Sequence, residues 1–124
     1  MKQENIIREK SFAFAIRIVN LYKYLCYEKQ EYVLSKQVLR TGTSIGANIE
    51  ESLGGQSDKD FISKLQIAYK EARETVYWIK LLSKTDFLSQ EQTDSILQDA
   101  DELCKIISKI LLTMKIKQLK TIKN

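Results

Sequence analysis

No histidine occurs in the 124 residues, and no proline. Without histidine the chain lacks the commonest general base, the usual zinc ligand and the partner that activates a serine or cysteine nucleophile. Without proline, and with only four glycines, it is short of the turn residues that a β-rich fold of this length needs. Only two cysteines are present, Cys26 and Cys104, far apart and without metal-ligand spacing. Each falls on an apolar helical face, so buried free thiols in a reducing compartment are expected rather than a disulfide. No apolar run approaches the ~20 residues of a membrane span, and residues 1–5 lead into a helix that mixes charge throughout, so no signal peptide is expected. A cytoplasmic protein that touches no membrane is expected.

What the chain does have is apolar content, 44%, arranged at helical spacing. A first helix is expected from about Asn5 to Lys29. One stripe holds Phe12, Ile16, Val19 and Cys26, and a second holds Phe14, Ile18, Leu21 and Leu25. With Ala15 and Tyr22 between them they merge into an apolar arc of roughly 220°, where a helix covered on one side needs nearer ~100°. The surplus implies self-association.

A second helix should start at Ser35 as N-cap and stop near Gly54 and Gly55, with Leu34, Val38, Ile45, Ile49 and Leu53 inward. Its middle contains Gly42 and Gly46, four residues apart, each costing ~1 kcal/mol relative to alanine in a helix. Close approach of a neighbouring helix explains them. A phosphate-binding loop does not, because the G-x-x-x-x-G-K-[ST] order and a preceding strand are both missing.

The third helix opens at Ser57, with Asp58 and Asp60 placed where the dipole favours acids. Phe61, Leu65, Ala68, Ala72, Val76, Ile79 and Leu82 carry its core stripe to about Thr85. Ile67, Trp78 and Leu81 lie off that stripe, next to Glu71 and Glu74, and suggest a second contact surface. The candidate subunit interface is therefore Phe14, Ile18 and Leu21 together with Ile67 and Trp78. In the fourth helix Ser89 and Gln92 fit a capping box, and Ile96, Ala100, Leu103, Ile107, Ile110 and Met114 form the stripe. The basic stretch from Lys115 to Asn124 is expected to fray over its last nine or so residues. Four long helices joined by short connections predict one all-α domain over residues 1–124, an up-and-down antiparallel four-helix bundle.

The segment Leu34-Ser-Lys-Gln-Val-Leu-Arg-Thr-Gly-Thr-Ser-Ile-Gly-Ala-Asn-Ile-Glu-Glu-Ser52, with Asp60-Phe-Ile-Ser-Lys-Leu65 and Lys70-Glu-Ala-Arg-Glu-Thr-Val-Tyr-Trp78, resembles the four-helix-bundle family of 23S rRNA intervening-sequence proteins. The stretch from Ser44 to Glu50 is the most specific part, and the likeness runs from Phe12 to about Met114. The resemblance implies a cyclic homopentamer. It also implies kinship with the accessory proteins of diversity-generating retroelements, which associate with nucleic acid and a reverse transcriptase.

Net charge is +4, modest support for a nucleic-acid partner; its placement is more informative. Residues 1–49 hold 8 basic and 4 acidic side chains, residues 50–102 hold 6 and 12, and residues 103–124 hold 6 and 0. Antiparallel packing returns the basic C-terminus to the acidic turn of Glu50, Glu51, Asp58 and Asp60. At mid-height Arg17, Arg40, Lys64, Lys70, Arg73, Lys105 and Lys109 form a basic waist, the candidate RNA or DNA surface. The competing account has these as solvated lysines and intersubunit pairs, such as Arg40 with Glu71 or Glu74. An adaptor that docks a partner enzyme without touching nucleic acid is the alternative function. No nucleophile–base pair, metal site or cofactor is expected, and no acid pair lies in an apolar stripe, so an enzyme is disfavoured.

Overall fold

The computed structural model describes residues 2–123; Met1 and Asn124, the bounds of the expected domain, lie outside the described residues. Four helices follow one another: α1 (Lys2–Tyr27), α2 (Leu34–Leu53), α3 (Asp58–Lys84) and α4 (Gln90–Lys123). Each packs on its chain neighbours and α4 closes back on α1, which is the up-and-down antiparallel bundle.

Two of the helix starts form as their residues dictate. Ser57 Oγ accepts from the Asp60 N–H at 3.1 Å. Ser89 and Gln92 close a reciprocal box, Gln92 N–H to Ser89 Oγ at 3.0 Å and Ser89 N–H to Gln92 Oε1 at 2.9 Å, satisfying donors that have no partner inside the helix. The start of α2 differs from expectation. Ser35 is buried and its hydroxyl donates to the Glu31 carbonyl at 2.9 Å. The cap is the Glu31 carboxylate, which accepts from the N–H groups of Val33, Leu34 and Ser35 at 2.8–3.0 Å. A glutamate can reach three orphan amides where a serine reaches one, and the positive dipole end of the helix favours its charge. The turn before it places Gln30 at φ 54° and bonds Glu31 N–H to Leu25 O at 2.9 Å, which folds the chain back over the end of α1.

Inward stripes meet in one core. Val38, Ile45 and Ile49 of α2, Ala68, Ala72, Ile79 and Leu82 of α3, and Ala100 and Ile107 of α4 are fully enclosed. From α1 the core takes Ile7, Phe14, Ile18 and Leu25. A polar pair sits within it, Thr75 Oγ1 donating to Thr41 Oγ1 at 2.9 Å across α2 and α3. Within the described residues α4 continues in helical form to Lys123. Nothing from Lys115 onward breaks a helix, and lysines are favourable in a last turn.

Candidate nucleic-acid interface and subunit face

Of the seven cations expected at a basic waist, three are held by acids of the same chain. Arg17 reaches from α1 to α4, where it donates to Asp99 at 2.7 Å, to the Ser95 carbonyl at 3.0 Å and to Ser95 Oγ. Arg40 binds Glu74 at 2.7 Å and lies 3.7 Å from Glu71. This corrects the expectation that Arg40 pairs across subunits: α2 and α3 are adjacent within one bundle, so the acids are already at hand. Lys64 pairs with Glu51 at 3.2 Å, in the last turn of α2. That places it toward the α2–α3 turn rather than at mid-height.

The other four, Lys70 and Arg73 on α3 with Lys105 and Lys109 on α4, are exposed. None makes an ion pair among the described residues. The Cys104 thiol is pushed above its ordinary pKa, chiefly by burial and further by Asp101, with Arg73 opposing the shift. A protonated, half-buried thiol is a poor nucleophile. Lys105 and Lys109 stand one turn apart on the outer side of α4. The basic surface is therefore narrower than a waist, a band on α3 and α4. The acidic turn is met as expected: Lys117 reaches Asp58 at 3.2 Å and Arg8 reaches Glu50 at 2.6 Å.

Of the expected subunit face, Phe14 and Ile18 are core residues, 2% and 0% exposed, and Leu21 is half-buried against the core. The two α1 stripes exchange roles. Ile18 turns inward because Gly42 leaves room for it: a β-carbon there would stand 2.6 Å from Ile18 Cγ1. Gly46 likewise lies against α1, its missing β-carbon 3.3 Å from the Ser11 carbonyl oxygen. The outward stripe is the first one, with Phe12 67% and Ile16 51% exposed. Phe12 borders a groove of about 270 Å³ between α1 and α2, floored by Ser11, Ala15, Gly46 and Ala47. On α3, Ile67 is exposed. Trp78 is half-buried, donates from Nε1 to Glu74 Oε2 at 3.0 Å and meets Tyr77 edge to face.

A second groove, about 420 Å³, follows the α1–α4 seam past Arg17, Leu21, Tyr24, Leu88 and Ile96. Among the described residues no cluster of three or more histidine, cysteine or acidic side chains could hold a metal ion. No described helix is long and apolar enough to cross a membrane.

A family model described as 23S rRNA-intervening sequence protein matches residues 3–109. Among solved structures the chain is similar to a protein of unknown function from the S23 ribosomal protein family of Bacteroides thetaiotaomicron. The two are 52% identical, with a TM-score of 0.87, covering 88% of this chain and 97% of that one. A comparison with proteins of curated function finds no match.

Proposed function

The chain belongs to the 23S rRNA-intervening sequence protein family, and from that premise we propose that it is a non-enzymatic, homo-oligomeric scaffold whose α3–α4 surface holds nucleic-acid phosphates. The observation that carries the reading is the set Lys70, Arg73, Lys105 and Lys109, exposed and without acid partners among the described residues while Arg17, Arg40 and Lys64 are neutralised in place. Four cations on two adjacent helices are a weak site alone. In a cyclic oligomer the same cations repeat around the ring, and linked weak contacts gain affinity by avidity. Exposed Phe12 and Ile16 on α1, with exposed Ile67 and half-buried Trp78 on α3, supply apolar surface for that assembly. The number five comes from the family resemblance. With no groove-reading motif, contacts go to phosphates and ignore base sequence.

An electrophoretic shift at low salt, with a single-stranded RNA and a duplex DNA, tests this. Wild type retards both. Lys105→Glu/Lys109→Glu retards them much less, while Lys64→Glu, whose charge already faces Glu51, has a smaller effect. If wild type shifts neither, the reading yields to an adaptor that docks a partner protein, a reverse transcriptase among the candidates.

A further inference from the structure

The last turns of α4 are apolar on two opposite sides. The inward stripe ends at Met114, 7% exposed, yet the helix runs on to Lys123. On the outward side Leu112, Ile116 and Leu119 are 59%, 45% and 50% exposed. They stand at i, i+4 and i+7, so at 100° per residue they share an arc of about 60° and form one ridge. Lys109 and Lys120 border the ridge on one side and Lys115 on the other, and none of the three makes an ion pair among the described residues. Lys117, further round the helix, ties this extension to Asp58 at the start of α3. The ridge lies beyond residues 3–109, the part of the chain that matches its family.

Its charge decides what can cover it. From residue 103 to the end of the sequence every charged side chain is a lysine. Laying the ridges of two copies together would set lysine against lysine with no acid to relieve them, and the ring proposed above assembles through the Phe12 and Ile16 face instead. Nucleic acid would satisfy the lysines and leave three aliphatic side chains in water. A helix that lies on a membrane presents a broad apolar face with its lysines on the far side; here lysines flank a narrow seam closely. Four–three spacing of aliphatic residues with charges immediately beside them is coiled-coil geometry, in which the flanking charges select the partner.

We propose that Leu112, Ile116 and Leu119 form a docking seam for an amphipathic helix of another protein, one whose own aliphatic seam is flanked by aspartate or glutamate. The seam excludes water from the aliphatic side chains, and Lys115 and Lys120 pair with the partner's acids and set its register.

The test uses the full chain and two labelled helical peptides, both with glutamate at the flanking positions, one with a leucine seam and one with a serine seam. Fluorescence anisotropy should show the leucine-seam peptide binding roughly tenfold tighter or more, as burial of several aliphatic side chains demands. Leu112→Ser/Ile116→Ser/Leu119→Ser should erase that difference while leaving the bundle folded with only a small shift in its thermal melt, because none of the three belongs to the core. Ile116→Ser alone should reduce it. Lys115→Glu/Lys120→Glu should weaken both peptides. Equal binding of the two peptides by wild type overturns the proposal, as does a seam preference that survives the triple substitution. So does a fall in the protein's own sedimentation mass on triple substitution, which assigns the ridge to a second copy. Loss of binding to phosphatidylcholine–phosphatidylglycerol vesicles in the triple variant, with no seam preference between peptides, assigns it to a membrane and equally overturns it.

Discussion

A β-carbon at Gly42 would meet Ile18 Cγ1, Cγ2 and Cδ1 at 2.6, 2.8 and 2.9 Å. Ile18 is β-branched and enclosed on all sides, so it cannot swing away cheaply. At Gly46 the nearest atom is the Ser11 carbonyl oxygen at 3.3 Å, a contact that asks for a shift of only a few tenths of an ångström. The two glycines should separate on substitution. Gly42→Ala is expected to lower stability by about 1–3 kcal/mol through overpacking. Gly46→Ala should cost less, because a gain of ~1 kcal/mol in helix propensity opposes the strain. Gly46→Leu, whose side chain no such shift accommodates, should cost about 1–3 kcal/mol or more. Urea denaturation measures all three, and a stabilised Gly42→Ala or Gly46→Leu would remove the packing role. Both glycines were legible in the sequence as close-packing positions. The Glu31 cap was not: a glutamate before a helix carries no distinctive pattern, and its role depends on the chain turning back at Gln30 so that the carboxylate meets three amides.

At the scale of elements, the periodicity of α3 and α4 left no choice of face, and every residue of the expected α4 stripe is buried. In α1 it did leave one. A roughly 220° apolar arc contains two stripes of nearly equal character, and local sequence does not say which looks inward. The deciding partner, Gly42, sits 24 residues further along the chain from Ile18. Ile18→Ala should cost about 2–5 kcal/mol as a core cavity, while Ile16→Ala should leave the melt within about 0.5 kcal/mol and lower the self-association measured by sedimentation. A severe loss at Ile16 with tolerance at Ile18 would return α1 to the opposite orientation. The charge pattern misled in a related way: Arg40 was legible as a partner for Glu71 or Glu74, but sequence does not distinguish the same chain from the next. α4 supplies a further check. Its core contribution ends at Met114, and beyond it the one described ion pair is the exposed Lys117–Asp58 contact, worth at most about 1 kcal/mol. Deleting residues 115–124 should therefore shift the denaturation free energy by no more than that; a larger loss would make the extension part of the fold.

For the whole molecule, a single bundle of 14.4 kDa leaves Phe12 and Ile16 exposed on α1 and Lys70, Arg73, Lys105 and Lys109 without ion pairs among the described residues of α3 and α4, so the proposed scaffold assembles through one surface and binds its ligand through another. Sedimentation equilibrium at micromolar concentration should accordingly give a mass several times 14.4 kDa, and the Lys105→Glu/Lys109→Glu protein should keep that mass while losing nucleic acid. A wild-type monomer would remove the avidity on which the proposed scaffold depends. The most direct measurement is the salt dependence of affinity for a single-stranded RNA. If phosphates are held by these lysines and arginines, the logarithm of the association constant falls linearly with the logarithm of salt concentration, by roughly 0.7 for each phosphate neutralised, and Lys105→Glu/Lys109→Glu both weakens binding and flattens the line. An affinity indifferent to salt, or a line that the double variant leaves unchanged, would contradict the account.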